Sequence, residues 1–236
     1  MSHEKGLELI IMLKKLLLWS LWIGFIGYLV FIAPPLHGRE TLSLLQKLLT
    51  FRWGEINPVI FALFSLIGVW LFIYSALLFF DGRMQPIAFW PFAVAAIATG
   101  TLGLLPYLAL RSPNQTFSGT KDAFLELLDS RATGVGVLLF TLGLLVYALV
   151  WGDWVGFWQQ FSSDRFINGM SLAFCLFAVL FPTILADDLA RRGYFSWGAE
   201  RVPHNSQLFW LIALIPLFGP LAYLCWRPPL RTMVVQ

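Results

Sequence analysis

The stretch Ile56–Phe80, INPVIFALFSLIGVWLFIYSALLFF, contains no Asp, Glu, Lys or Arg and decides the class of this protein. A helix needs about 20 apolar residues to cross the hydrocarbon core of a bilayer, and this stretch supplies them. The sequence therefore predicts an all-α polytopic membrane protein, a bundle of six transmembrane helices in a single integral membrane domain. Five further charge-free stretches give the other helices: Leu16–Gly38, Met84–Leu110, Ala132–Gly152, Phe166–Ala186 and Val202–Trp226. After trimming, the six spans are expected at about 16–34, 58–80, 87–110, 134–152, 166–186 and 207–226.

The composition supports this class. Of the 236 residues, 58% are hydrophobic and 12% are charged, and the mean hydropathy is +0.75. A soluble domain would carry about twice that charged fraction. The net charge of +3 comes with basic residues beside the spans, which favours anionic lipid headgroups over nucleic acid as the partner.

The amino-terminal apolar run is interpreted as a retained helix. Lys14 and Lys15 precede Leu16–Ala33, which is the order of charge and hydrophobic residues in a secretory signal. The run ends in Ala33-Pro34-Pro35 instead of a small-residue cleavage site, and it is long enough to span. With six spans, the two tails and the second and fourth connections share one face, with seven basic residues against nine on the other. The lysine pair favours a cytoplasmic amino terminus, although Arg191 and Arg192 oppose it.

Two long connections, Thr41–Trp53 and Lys121–Arg131, carry leucines and phenylalanine at helical spacing. This pattern predicts short helices that lie on the membrane surface or pack on the end of the bundle. Either arrangement makes that face an ordered surface.

The third and sixth predicted spans end in the same pattern, G-x3-Y-L-x2-R-x-P. If it marks an internal repeat, three spans separate the copies, and the halves form an inverted 3+3 arrangement. The alternative is ordinary interface chemistry, in which an aromatic residue, an arginine and a proline close a membrane helix. The residues that carry the pattern are Gly103, Tyr107 and Arg111 in the first copy and Gly219, Tyr223 and Arg227 in the second.

The most distinctive polar cluster is Asp187-Asp188-Leu-Ala-Arg191-Arg192 at the end of the fifth predicted span. On a helix, Asp187 would pair with Arg191 and Asp188 with Arg192, each four residues apart. One interpretation is a neutralised helix end. The other is a binding site for a partner, with Arg111 and Arg131 nearby.

The spans offer no recognisable chemistry of their own. No acid or base lies near a predicted midplane, where groups that carry protons or ions are expected. The three histidines His3, His37 and His204 lie outside the spans, which argues against haem or metal. No GxSxG, HExxH, CxxC or GxGxxG motif is present, so no catalytic residue is predicted. We expect no cofactor, although the 22 Phe and 11 Trp suit a pigment or lipid.

Two runs resemble a poorly characterised family of multi-pass proteins from cyanobacteria and plant plastids. They are Phe166–Phe177, which leads into Asp187–Gly193, and Leu104–Arg111, with the related closing segment Gly219–Pro228. The resemblance covers the second half best. It implies a thylakoid membrane or the plasma membrane of a bacterium, in particular a cyanobacterium, and a role near photosynthetic complexes.

The leading expectation is a non-enzymatic membrane protein that assists the assembly or stability of a larger complex such as a photosystem. The alternative is a permease for a neutral or lipid-like solute, built on the inverted repeat. An enzyme that acts on lipid or isoprenoid would have to use the Asp187–Arg192 cluster.

Overall fold

In the computed structural model, residues 2–194 and 206–230 are described, and all regular structure in them is helical, as predicted. Asn57 caps the helix Pro58–Gly82 because its side-chain oxygen accepts a hydrogen bond from the Val59 amide at 3.0 Å, and Asp122, Asp153 and Asp164 cap later helices similarly. The helices are α1 (Ser2–Gly27, continued by a π turn at Tyr28–Ile32), α2 (Gly38–Leu49), α3 (Pro58–Gly82), α4 (Trp90–Thr99), α5 (Thr101–Leu110), α6 (Ala123–Asp129), α7 (Arg131–Trp151), α8 (Trp154–Ser163), α9 (Arg165–Leu180), α10 (Pro182–Arg191), α11 (Ser206–Leu214) and α12 (Phe218–Trp226).

Among the described residues, 4 helices are long and apolar enough to cross a membrane. The membrane class is therefore supported, but the count of six spans is not confirmed. The four are Glu8–Ile32, Pro58–Gly82, Arg131–Trp151 and the nearly continuous α9–α10 at Arg165–Arg191.

The third predicted span, 87–110, is broken in the middle. At Gly100 the backbone takes φ 61° and ψ −129°, a conformation that favours glycine, and the chain turns back on itself. α4 and α5 have 10 residues each, so each arm is about 15 Å long, half of the roughly 30 Å that a span must cover. The stretch is apolar along its whole predicted length, but it forms a helical hairpin.

The sixth predicted span, 207–226, is broken in the same way. α11 and α12 have 9 residues each, and Leu217 between them has φ 63°. Pro216 ends the first arm because a proline lacks the amide that would continue the helix.

Both hairpins close tightly at a glycine. A Cβ on Gly103 would collide with the backbone of Ala95 and Ala96, and one on Gly219 would collide with the backbone of Ile212. These glycines open the G-x3-Y-L-x2-R pattern. Their role is to let two short antiparallel arms touch.

Each hairpin enters and leaves on one side of the bundle. Arg111, just after α5, contacts Asp81 at the end of α3, and Arg227, just after α12, lies near Asp188 in α10. We call this side the charged face, because the carboxyl ends of α3, α5, α10 and α12 meet there. α2, α8 and the starts of α3 and α9 lie on the opposite face, where the Arg165 amide donates to the Pro35 carbonyl.

The structure supports a repeat, but not an inverted one. α1–α5 and α7–α12 have the same order: a span, a short helix on the opposite face, a second span and a hairpin. Two spans per half return the chain to the charged face, so both halves run in the same direction instead of forming an inverted 3+3 arrangement. Both long connections do contain the predicted helices, α2 and α6.

The two central spans, α3 and α9–α10, run parallel and pack through aromatic side chains. The rings of Trp70 and Phe177 stack at 6.3 Å with an interplanar angle of 13°, and Tyr74 meets Phe181 at 6.2 Å. In both pairs the two residues are 107 positions apart in the sequence. The capping residues Asn57 and Asp164, which begin the two spans, have the same separation. In the hairpins the equivalent positions are 116 residues apart, as for Gly103 and Gly219.

Candidate functional site

Acidic, basic and tyrosine side chains converge at the charged face. They come from the ends of four helices, from α1 and from the segment around α6. We call this set the buried charge cluster: Lys14, Asp81, Tyr107, Arg111, Lys121, Asp129, Asp187, Asp188, Arg191, Arg192, Tyr223 and Arg227.

In the first half, Asp81 is held by the hairpin that follows it. Arg111 donates from Nε to Oδ2 at 2.8 Å and from Nη2 to Oδ1 at 2.6 Å, and the Tyr107 hydroxyl donates to Oδ2 at 3.0 Å. Asp81 is 0% exposed. A two-pronged contact of this kind is the strongest ordinary form of an arginine–carboxylate pair.

The second half repeats this arrangement around Asp188, which is also 0% exposed. The Tyr223 hydroxyl donates to Oδ2 at 2.6 Å, and Arg227 Nη1 lies 3.6 Å from the same oxygen. Arg192 donates from Nε at 2.8 Å, so the predicted Asp188–Arg192 pair is formed. Asp81 and Asp188 are 107 residues apart, the spacing of the central spans.

Two arginine contacts join the halves. Arg191 Nη1 lies 3.1 Å from Asp81 Oδ1, and its Nη2 lies 3.9 Å from Asp188 Oδ1. Arg111 Nη2 also reaches Asp187 at 2.5 Å. The predicted Asp187–Arg191 pair is therefore replaced by contacts across the bundle, because α3 and α10 run side by side and bring stronger partners within reach.

Asp129, at the end of α6, extends the cluster toward the carboxyl-terminal segment. It lies 2.7 Å from Arg192 and 2.6 Å from Lys121, and it accepts from the Leu230 amide at 2.9 Å. Burial by itself would raise the pKa of the Asp129 carboxyl, but the adjacent cations outweigh it and hold that pKa below its usual range.

The sequence predicts all four arginines of the cluster but not several of the other charged residues. Asp81, Asp129, Lys14 and Lys121 were not predicted, although Asp81 directly follows the charge-free stretch 56–80. Lys14 donates to the Thr183 carbonyl at 3.0 Å and so ties α1 to α10. The predicted Arg131 is exposed, and within the described ranges its one side-chain hydrogen bond goes to the Arg227 carbonyl, at 3.5 Å.

The cluster is a closed ion-pair network. The side chains in its central ion pairs, on Asp81, Arg111, Asp187, Asp188, Arg191, Arg192 and Arg227, are 0–7% exposed. With the charges held by fixed partners and shielded from water, the arrangement can fix the position of helix ends. In residues 2–194 and 206–230, no group of three His, Cys, Asp or Glu side chains is placed to hold a metal ion.

Comparisons with protein-family models, curated proteins and solved structures found no match to this chain.

Proposed function

We propose that this chain is a non-enzymatic integral membrane protein that assists the assembly or stability of a larger membrane complex. The resemblance seen in the sequence favours a photosynthetic complex in a thylakoid or bacterial plasma membrane. The single observation that carries the proposal is the closed charge cluster, which fixes two half-length hairpins against the spans.

A fixed bundle suits a scaffold because its side surfaces keep their shape. Asp81 and Asp188 each bind a tyrosine and an arginine of a returning hairpin, so neither hairpin moves without breaking buried ion pairs. Breaking such a pair by removing one partner typically costs 3–5 kcal/mol. The geometry therefore favours a static role over one that needs large motions.

The outer side of α1 is the surface that we propose for a partner helix. Only 11% of the most apolar window of this helix is buried, against 50% for α3. Leu16 is 55% exposed and Ile23, seven residues later on the same side of the helix, is 63% exposed, with Leu17 beside them at 70%, so an apolar ridge faces outward. Membrane helices associate through such ridges by close packing.

The charged face is proposed to be cytoplasmic. Nine basic residues whose side chains are described belong to it: Lys14, Lys15, Arg83, Arg111, Lys121, Arg131, Arg191, Arg192 and Arg227. Four belong to the opposite face: Arg39, Lys47, Arg52 and Arg165. The excess follows the positive-inside rule, and the near tie expected from six spans disappears when the hairpins are recognised.

The experiment is a deletion strain complemented with single variants. Native gels and quantitative mass spectrometry of the membranes should show one complex depleted in the deletion and restored by the wild type. Leu17→Trp on α1 should fail to restore it, whereas Leu149→Trp on α7, at a position 68% exposed, should restore it. Unchanged abundance of every membrane complex after deletion would overturn the proposal.

A permease for a neutral or lipid-like solute is the second candidate, because broken membrane helices often line transport sites. The two hairpin turns at Gly100 and Leu217 favour it. The filled interface around Trp70 and Phe177 opposes a path between the halves. Solute flux in proteoliposomes that contain the purified protein would decide in its favour.

A further inference from the structure

We propose that a groove between α3 and α4 binds one acyl chain of an anionic phospholipid whose headgroup lies beside Arg83. The groove is a cavity of about 290 Å³, and its walls include Leu71, Ser75 and Phe79 of α3 and Ala93 and Ile97 of α4. This binding site is independent of the scaffold role and of any partner.

The position of the groove selects a lipid chain as its occupant. α4 reaches only about half-way into the bilayer, so the groove lies at the depth of the hydrocarbon. Its rim is formed by Trp90, Val94 and Ile97, which are 63%, 61% and 77% exposed. A groove that opens sideways at this depth faces acyl chains at high local concentration.

The repeat provides an internal comparison. Ala93, Val94 and Ala96 in the first hairpin correspond to Phe209, Trp210 and Ile212 in the second, 116 residues later. Small side chains therefore leave space beside α3 at the positions where the second half has large ones. The space is a feature of one half and not a general consequence of the hairpin fold.

The polar end of the groove carries the headgroup contact. Phe124 of α6 closes this end, and the half-exposed Arg83 forms an ion pair with Asp122, two residues before Phe124. The Asp122 carboxylate also accepts from the Leu125 amide at 2.9 Å, so its charge is shared with the start of α6. A guanidinium has five donors, and Arg83 can bind a phosphate while it keeps this pair.

Native mass spectrometry of the detergent-purified protein, titrated with phosphatidylglycerol or phosphatidylcholine, tests the site. The wild type should bind one lipid tightly, and Ala93→Phe, which introduces the residue of the second half, should weaken that binding by about tenfold or more. Ala98→Phe adds the same bulk to an exposed position of α4 outside the groove and should bind like the wild type. If Ala93→Phe does not fold, Val94→Trp replaces it with the same expectation.

A second pair of variants, one test and one control, examines the headgroup contact. Arg83→Gln should remove most of the preference for phosphatidylglycerol over phosphatidylcholine. Arg52→Gln should keep that preference, because Arg52 is an exposed, acid-paired arginine on the opposite face. Equal lipid binding by the wild type and both groove variants would overturn the proposal, and so would an unchanged lipid preference in Arg83→Gln.

Discussion

Replacing Asp188 with Asn tests whether the buried charge cluster holds the fold together. The substitution keeps the shape of the side chain and removes one negative charge that faces Arg191, Arg192 and Arg227. Among residues 2–194 and 206–230, nitrogen atoms on these three arginines already have no hydrogen-bond partner. The cluster holds four carboxylates against six basic side chains, so it has no surplus negative charge to compensate the loss.

The expected cost follows from the burial. Removing one partner from a fully buried ion pair costs about 3–5 kcal/mol, whereas an exposed pair contributes about 1 kcal/mol or less. Asp188→Asn should therefore destabilise the protein by about 3–5 kcal/mol. Asp81→Asn should cost a similar amount, because the repeat places it in an equivalent environment.

The assay is reversible unfolding in mixed detergent micelles, followed by tryptophan fluorescence. Glu55→Gln is the matched control, because Glu55 pairs with Lys47 and Arg52 while remaining half-exposed. A cost for Asp188→Asn no larger than that for Glu55→Gln would refute the structural role of the cluster.

Three further predictions concern the hairpins, the pH and the surface. Gly219→Ala should destabilise the protein by about 1–3 kcal/mol, because a Cβ at this position collides with the Ile212 backbone. Gly143→Ala is the control: a Cβ there meets open space, so the substitution should be neutral or slightly stabilising in the same unfolding assay. The pKa of Asp129 is lower in the folded state than in the unfolded state. Its contribution to folding stability is therefore present above its unfolded pKa of about 3.9 and is lost as the pH falls through the lower folded value. Asp129→Asn should flatten the loss of stability below about pH 4, and an unchanged pH profile would contradict this. Arg131→Gln should change the unfolding free energy by less than about 0.5 kcal/mol, because its side chain is exposed and outside the ion pairs, and a cost above 2 kcal/mol would place it inside the network.

The apolar stretches predicted the helical membrane class but not how two of them fold. Hydropathy reports whether a segment suits lipid, and a hairpin of two half-length helices has the same composition as one full span. The signals that distinguish them are local: Gly100 with its positive φ, and Pro216 before Leu217. Whether each stretch forms a hairpin or a full span depends on the close packing of its two arms at Gly103 and Gly219. The hydrophobic periodicity of the sequence does not indicate this packing.

The site could be predicted in part for a similar reason. The motif that ends in Arg111 and Arg227 was visible because both copies keep one spacing, 116 residues. The acids that these arginines approach, Asp81 and Asp188, are 107 residues apart, because the connections before and after the second span differ in length between the halves. A comparison at a single offset aligns the arginines and misses their carboxylates.

Side-specific labelling of single cysteines tests the central claim most directly, in a background with Cys175 and Cys225 replaced. With four spans and two hairpins, Gly6→Cys and Thr120→Cys should react from one side of the membrane, and Ser43→Cys and Ser162→Cys from the other. Six spans would instead put residue 6 with residue 162, and residue 43 with residue 120. That second pattern of labelling would contradict the fold described for this protein.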